Sequence, residues 1–196
     1  MAASYRAPLR LAIAGLGTVG TGVVALLQDR ARLLQARCDR ALILQAVSAR
    51  TLGRDRGVNL EGVAWEPDAQ ALATREDVDV VVELIGGHEP TGPAYRLVER
   101  ALQEGKHVVT ANKALMAHHG AHLAALAEDA GASLLFEAAV AGGTPVIKTM
   151  TDGLVANHYH AITGILNGTC NYILSVMERT GRPFDDVLRE AQQRGY

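Results

Sequence analysis

The chain has 196 residues, 48% of them apolar and 20% charged, enough for one domain and part of a second around a sizeable core. A net charge of -2, with no run of five like charges, excludes the basic footprint of a nucleic-acid partner or a polybasic membrane surface. No apolar run is long enough to span a bilayer, the first ten residues lack a signal peptide's apolar stretch, and Cys38 and Cys170 lie far apart with no CxxC, so a soluble cytoplasmic protein with reduced thiols is expected.

Residues 9–14 are a short apolar run ending in glycines, the pattern of a buried strand. Residues 18–37 read as one long helix, with Val19, Val23, Leu26, Leu27, Leu33 and Leu34 giving most of an apolar stripe. A second strand is expected over 41–48, followed by a polar, Gly- and Arg-rich loop over 49–59. Residues 78–84 are almost purely apolar, as in strands buried on both faces of a parallel sheet, and Gly86 and Gly87 end the run. A helix over 93–104 has Pro93 near its start and Gly105 just past its end. Strand 107–110, helix 114–130 with Gly131 as its stop, and strand 133–139 complete the series. Strands alternating with helices predict an α/β fold with a doubly wound parallel sheet.

The character changes near Ala141-Gly142-Gly143-Thr144-Pro145. A short helix over 145–151, a strand over 158–166, a helix over 169–180 that Thr169 can cap and Gly181 can end, and a helix over 185–194 are expected. The boundary is drawn between domains 1–144 and 145–196, and the second holds too little to close an α+β core, so the chain is expected to stop inside that domain.

Gly15-Leu16-Gly17-Thr18-Val19-Gly20 is a GxGxxG motif between an apolar strand and a helix, the context that gives it meaning. Gly15 permits the tight turn, Gly17 lets a pyrophosphate approach the backbone, and Gly20 lets the helix pack close to the sheet. The first-turn N–H groups at Thr18 and Val19 face the phosphates at the positive end of the helix dipole. This is the signature of a Rossmann-type dinucleotide-binding domain; a Gly-rich turn without ligand is the alternative. Where NAD-preferring sites carry an acid after the second strand, this chain has Ser48-Ala49-Arg50, and no acid comes before Asp55. Arg50, with Arg54 and Arg56 nearby, can pair with a 2′-phosphate, which favours NADP or tolerance of both NADP and NAD. Otherwise these arginines form a solvated loop face.

Lys113 follows the strand over 107–110 at the end where ligands of such sheets bind. It can contact the cofactor or a substrate oxygen, or stabilise charge developing on that oxygen, unless it is simply an exposed lysine at a helix start. Gly86 and Thr110, at the ends of neighbouring strands, are grouped with it as cofactor-binding candidates. Glu137 lies where an apolar strand runs out, and the turn through Val140, Ala141, Gly142, Gly143 and Thr144 supplies backbone carbonyls; such oxygens suit a hard cation, and an ion pair with Lys148 is the alternative. Asn167-Gly168-Thr169-Cys170-Asn171 either walls an active site or only starts a helix, and Cys170 has no paired base that would make it a nucleophile. His118, His119 and His122 share one helix without an HExxH motif, and a solvent-facing helix explains them better than zinc.

Three runs, GKHVVTANKALMAHHG at 105–120, FEAAVAGGTPVIK at 136–148 and GILNGTCNYIL at 164–174, resemble the hallmark segments of homoserine dehydrogenases in order and spacing. VVELIGG at 81–87 and AQQRGY at 191–196 agree, so the resemblance covers about residues 9–196. It implies an NAD(P)-dependent oxidoreductase that interconverts L-aspartate 4-semialdehyde and L-homoserine by hydride transfer, within threonine, methionine and isoleucine synthesis. By resemblance Lys113 is the lysine at the cofactor–substrate junction and Gly195 a glycine near the cofactor. Glu137 with the carbonyls of Val140, Gly142 and Thr144 would hold a structural sodium ion. The small-molecule substrate would be completed, and a homodimer built, by a longer chain; the general-acid lysine and a substrate-binding glutamate would follow residue 196, leaving this chain alone inactive. A related semialdehyde or amino-acid dehydrogenase, and a nucleotide-sensing regulator without turnover, are the rival readings.

Overall fold

Strands of a parallel sheet must be covered on both faces, and β1 (Leu9–Ala14) meets this by alternation: Leu11 and Ile13 turn to one face, Ala12 and Ala14 to the other, and all four are buried. The computed structural model describes residues 6–195 and divides into two compact units, Met1–Ala139 and Val140–Tyr196. In the first unit β1 is joined by β2 (Leu42–Ser48), β3 (Ala64–Trp65), β4 (Val80–Glu83), β5 (His107–Thr110) and β6 (Leu134–Leu135). All pair in parallel, in the order β3-β2-β1-β4-β5-β6. The chain runs outward from β1 in one direction, then returns to its other side for β4, so the strand order reverses between β1 and β4, where open α/β sheets bind ligands.

The helices follow the two faces. Ala12, Ala46, Val81 and Val108 pack with Leu72 of α3 (Ala71–Thr74), Leu97 and Val98 of α4 (Pro93–Gln103) and Leu123 of α5 (Lys113–Asp129). Leu11, Ile13, Val47, Val80 and Val82 pack with Val24 of α1 (Thr18–Asp29).

The single helix expected over 18–37 is two: α1 ends at Asp29 and α2 (Ala31–Cys38) follows after a break at Arg30. Twelve residues of α1 rise about 18 Å, close to the roughly 20 Å of a six-residue strand, so α1 spans the sheet and then has nothing left to cover. No residue of α2 is buried. The structure also has β3 and α3, between residues 59 and 78, where the sequence pattern gave no element. Two and four residues are too few for a periodicity to emerge. Strand 133–139 shrinks to β6, because the chain winds into a 3₁₀ turn at Glu137–Ala139, where Ala139 N–H donates to Phe136 O at 2.9 Å.

At the opposite end of the sheet from the strand C-termini, Arg10 of β1 donates to Asp79 from its backbone N–H (2.9 Å), its Nε (3.0 Å) and its Nη2 (2.6 Å). The side-chain hydrogen bonds from Arg10, ahead of its charge, hold the Asp79 carboxyl below the usual range. A carboxylate whose folded pKa is depressed contributes stability above its unfolded pKa, about 4, and that contribution is lost as pH falls through the folded value. Asp79→Asn should therefore flatten the acid limb of a stability-versus-pH curve measured by urea unfolding from pH 6 to 3. An unchanged slope would remove Asp79 from the acid response.

In the second unit α6 (Val146–Lys148) runs into a π-helical turn at Thr149–Gly153 in place of one short helix over 145–151. The strand expected over 158–166 does not form: the segment has no regular structure, and Tyr159, Ile162, Ile165 and Leu166 are exposed. An extended segment needs a partner for its backbone groups, and among the described residues of this unit there is no strand to offer one. The unit's core lies between α7 (Gly168–Thr180) and α8 (Phe184–Gln193), where Ile173, Val176, Val187 and Ala191 are buried. The N-cap of α7 is Asn167, whose side-chain oxygen accepts from Cys170 N–H at 2.8 Å; Thr169 sits inside the first turn. Gly181, at φ +66, ends the helix. Hydrogen bonds from Tyr172 and then Arg182 hold the Glu190 carboxyl at about 2, tying α8 to α7.

Candidate cofactor-binding site

The turn after β1 is wedged between the ends of two neighbouring strands. Gly15 has φ +103, and its N–H donates to Ser48 O at the end of β2 at 2.8 Å. A Cβ on Gly15 would stand 2.5 Å from Leu84 O, just past β4. Five residues on, a Cβ on Gly20 would fall 1.9 Å from Gly15 O, so the first turn of α1 rests directly on the loop backbone. Gly17 differs: a Cβ there meets nothing within 4 Å, so its face is open to a ligand. The helix has no side-chain N-cap bond. Thr21 N–H donates to Gly17 O at 2.9 Å, while the N–H groups of Thr18, Val19 and Gly20 precede the first helical bond. Thr18 and Val19 are exposed and Gly20 is buried, so the turn offers backbone donors and a helix dipole to an anion at its open side.

This turn forms one wall of a cleft of about 810 Å³ whose lining includes Gly15, Gly17, Ser48, Arg50, Arg54 and Ile85. Two arginines of the loop are placed differently. Arg56 donates from Nη1 to Arg54 O (2.9 Å) and from Nη2 to Thr51 O (2.6 Å), and lies 5.2 Å from the centre of the Trp65 ring. It is committed to shaping the loop. Arg50 is exposed at the mouth of the cleft, next to the buried Ser48 where an acid would contact a ribose 2′-hydroxyl. The glycine cradle, the open helix end and the volume fit a dinucleotide.

On the other side of the strand reversal is a feature that the motif reading missed. Glu83, the last residue of β4, is fully buried. Its Oε1 accepts from Ile85 N–H (2.8 Å) and Gly86 N–H (3.1 Å), and its Oε2 accepts from the Thr110 hydroxyl (2.6 Å). Thr110 Oγ1 in turn accepts from Asn112 N–H at 3.0 Å. Asn112 caps α5 by accepting from Leu115 N–H at 3.1 Å, and its Nδ2 donates to Gly87 O at 2.5 Å. A carboxylate inside an all-apolar strand was the signal that could have found this network, since such a group is costly to bury unless it is satisfied.

The predicted site residues fall into separate groups. Gly15, Gly17, Thr18, Val19 and Gly20 build the turn, and Arg50 shares its cleft. Gly86 (φ +82, exposed), buried Thr110 and exposed Lys113 stand at the C-terminal ends of β4 and β5, where Glu83 joins the first two. Lys113 is the first residue of α5, directly after its cap. Glu137 is half-buried in the 3₁₀ turn that closes the first unit. Val140, Gly142 (φ +59) and Thr144 belong to the second unit, where Thr144 O already accepts from Val146 N–H at 2.8 Å; Gly195, at φ +81, follows α8 in the same unit. Of the α5 histidines, His118 stacks on His88 at 4.4 Å and His119 meets Tyr95 edge-on at 4.7 Å, with its Nε2 2.8 Å from His88 O. Among the described residues no helix is long and apolar enough to cross a membrane.

Comparison with known proteins gives a consistent picture. The family model for the homoserine dehydrogenase NAD-binding domain matches residues 15–137, and the homoserine dehydrogenase model matches 145–196. The chain is 45% identical over 189 residues to a homoserine dehydrogenase of Neisseria gonorrhoeae and 44% identical over 191 residues to one of Synechocystis, covering 96% of this chain in each case. It spans only 42% of the length of each of those relatives. The solved homoserine dehydrogenase of Thiobacillus denitrificans superposes with a TM-score of 0.82 at 42% identity, over 96% of this chain and 43% of that one.

Proposed function

Because the chain belongs to the homoserine dehydrogenase family, we propose that it supplies the cofactor half of an enzyme interconverting L-homoserine and L-aspartate 4-semialdehyde, with NADP preferred over NAD. The observation that carries this is the cleft at the strand reversal, with its open glycine turn on one side and Leu84 and Ile85, just past β4, on the other. The bound nicotinamide supplies the hydride acceptor or donor. The backbone of Gly17, Thr18 and Val19 holds the pyrophosphate, and Arg50 pairs with the 2′-phosphate. Lys113 reaches the reacting oxygen and stabilises charge that develops there. Residues 1–144 act as the cofactor domain, and 145–196 begin the substrate and dimerisation domain. More than half of the relatives' length lies outside the span that this chain matches. From donor chemistry, Glu137 and the carbonyls of Val140, Gly142 and Thr144 suit a structural sodium ion. A homodimer in the cytoplasm, serving threonine, methionine and isoleucine synthesis, completes the proposal.

The test is an absorbance assay at the reduced-nicotinamide band, with protein from the complete gene, L-homoserine, and NAD or NADP in parallel. Homoserine-dependent reduction is expected, faster with NADP. A folded protein that binds dinucleotide and reduces none would point instead to a nucleotide-sensing regulator or another substrate. In the same assay Arg50→Ala should raise KM for NADP about tenfold and leave KM for NAD unchanged, the loss of one charge-assisted phosphate contact. Equal effects on both cofactors would assign Arg50 to the loop.

A further inference from the structure

The glycine turn and Arg50 shape the β1–β2 side of the cleft, but neither accounts for a fully buried carboxylate at the end of β4. An apolar residue at position 83 would serve the sheet as well as Val80, Val81 and Val82 do. What it could not do is hold the loop that follows. That loop passes through Gly86 and Gly87 at φ +82 and +89, with no side chains there to pin it. Glu83 grips the loop through the N–H groups of Ile85 and Gly86, and Ile85 itself lines the cleft. Its other oxygen takes the Thr110 hydroxyl, which orders Asn112; Asn112 in turn caps the helix that starts at Lys113 and ties back to Gly87 O. One carboxylate therefore sets two separate segments in a common register.

We propose that Glu83 is a positioning residue, fixing the 84–87 wall and the start of α5 together so that the nicotinamide half of the cofactor and Lys113 meet in one geometry. This rests on the cofactor reading above, and it concerns only the β4–β5 side of the cleft, since a dinucleotide straddles the strand reversal with one half on each side. Glu83→Gln is nearly isosteric. Its amide oxygen can still accept from the loop, but its NH2 then faces Thr110 Oγ1, already an acceptor for Asn112 N–H, and the hydroxyl proton loses its buried acceptor. The tie between loop and helix weakens while the fold is kept. Thr110→Val breaks the same tie from the other end and leaves the Glu83 grip on Ile85 and Gly86.

The experiment compares two probes by calorimetry on protein from the complete gene: NADPH, and the same molecule lacking nicotinamide, 2′-phospho-ADP-ribose. Glu83→Gln and Thr110→Val should each weaken NADPH about tenfold and leave 2′-phospho-ADP-ribose unchanged, with a single cooperative thermal unfolding lowered by about 5 °C for the buried group left unpaired. Where homoserine is oxidised, kcat should fall with them. Equal weakening of both probes would reduce Glu83 to a structural residue and overturn the proposal, as would no change in either. Absence of homoserine-dependent reduction in the wild type would refute the substrate reading, and the two-probe comparison would still decide the role of Glu83.

Discussion

Gly20→Ala should unfold the first unit in less urea and lose dinucleotide binding together. The added Cβ would sit 1.9 Å from Gly15 O, and that neighbour is backbone, not a side chain that can swing away. Gly15 cannot retreat, because Leu84 O already stands 2.5 Å from where its own Cβ would be, and its N–H is bonded to Ser48 O. The collision therefore pushes either the α1 turn off the loop or β1 away from β4. Overpacking of this kind costs about 3 kcal/mol, a large share of a domain's net stability. Gly17→Ala is the control. Nothing lies within 4 Å of its Cβ, so stability should hold while dinucleotide affinity falls, because the methyl occupies the ligand's approach. Urea unfolding and a fluorescence titration with reduced cofactor read the two quantities separately. If Gly20→Ala melted like wild type, the close rest of α1 on the loop would be disproved.

Lys113→Met, in protein from the complete gene, should lower kcat about a hundredfold or more and leave the melting temperature unchanged. The stability half follows from its surroundings: the side chain is exposed at the first position of α5, and the helix is capped by Asn112 without it. The kinetic half follows from its place beyond β5, one residue from the cap that Thr110 orders. A fall in cofactor affinity alone, with kcat preserved, would make Lys113 a binding residue and move the charge-stabilising role elsewhere.

The cofactor turn was legible because its chemistry is local. Three glycines, a strand before and a helix after are all visible within fourteen residues of one another, and the rest of Gly20 on Gly15 O lies inside that span, whereas the approach of Leu84 O to Gly15 does not. The runs around β1 and β4 were legible for a related reason, since strands covered on both faces carry polar residues only near their ends, Arg10 at the start of β1 and Glu83 at the end of β4. The overrun of α1 past Asp29 came from a stripe that continues through Leu33 and Leu34 although the sheet beneath it does not. Residues 158–166 show the converse: Tyr159, Ile162, Ile165 and Leu166 have strand-forming character, but pairing is a property of two segments and cannot be read from one. Glu83 was passed over as the end of an apolar run, because Thr110, unlike the adjacent Ile85 and Gly86, becomes its neighbour only when β4 lies beside β5.

The sheet also narrows toward both margins. β1 and β2 have six and seven residues, whereas the outermost strands, β3 and β6, have two each. An unpaired strand edge is a template on which another chain can add, and its danger grows with the length of regular backbone it displays. Two residues display too little to register an incoming strand. Lateral growth into a continuous sheet between molecules thus finds little regular backbone at either margin, and at one of them Glu66 and Pro67 directly follow β3.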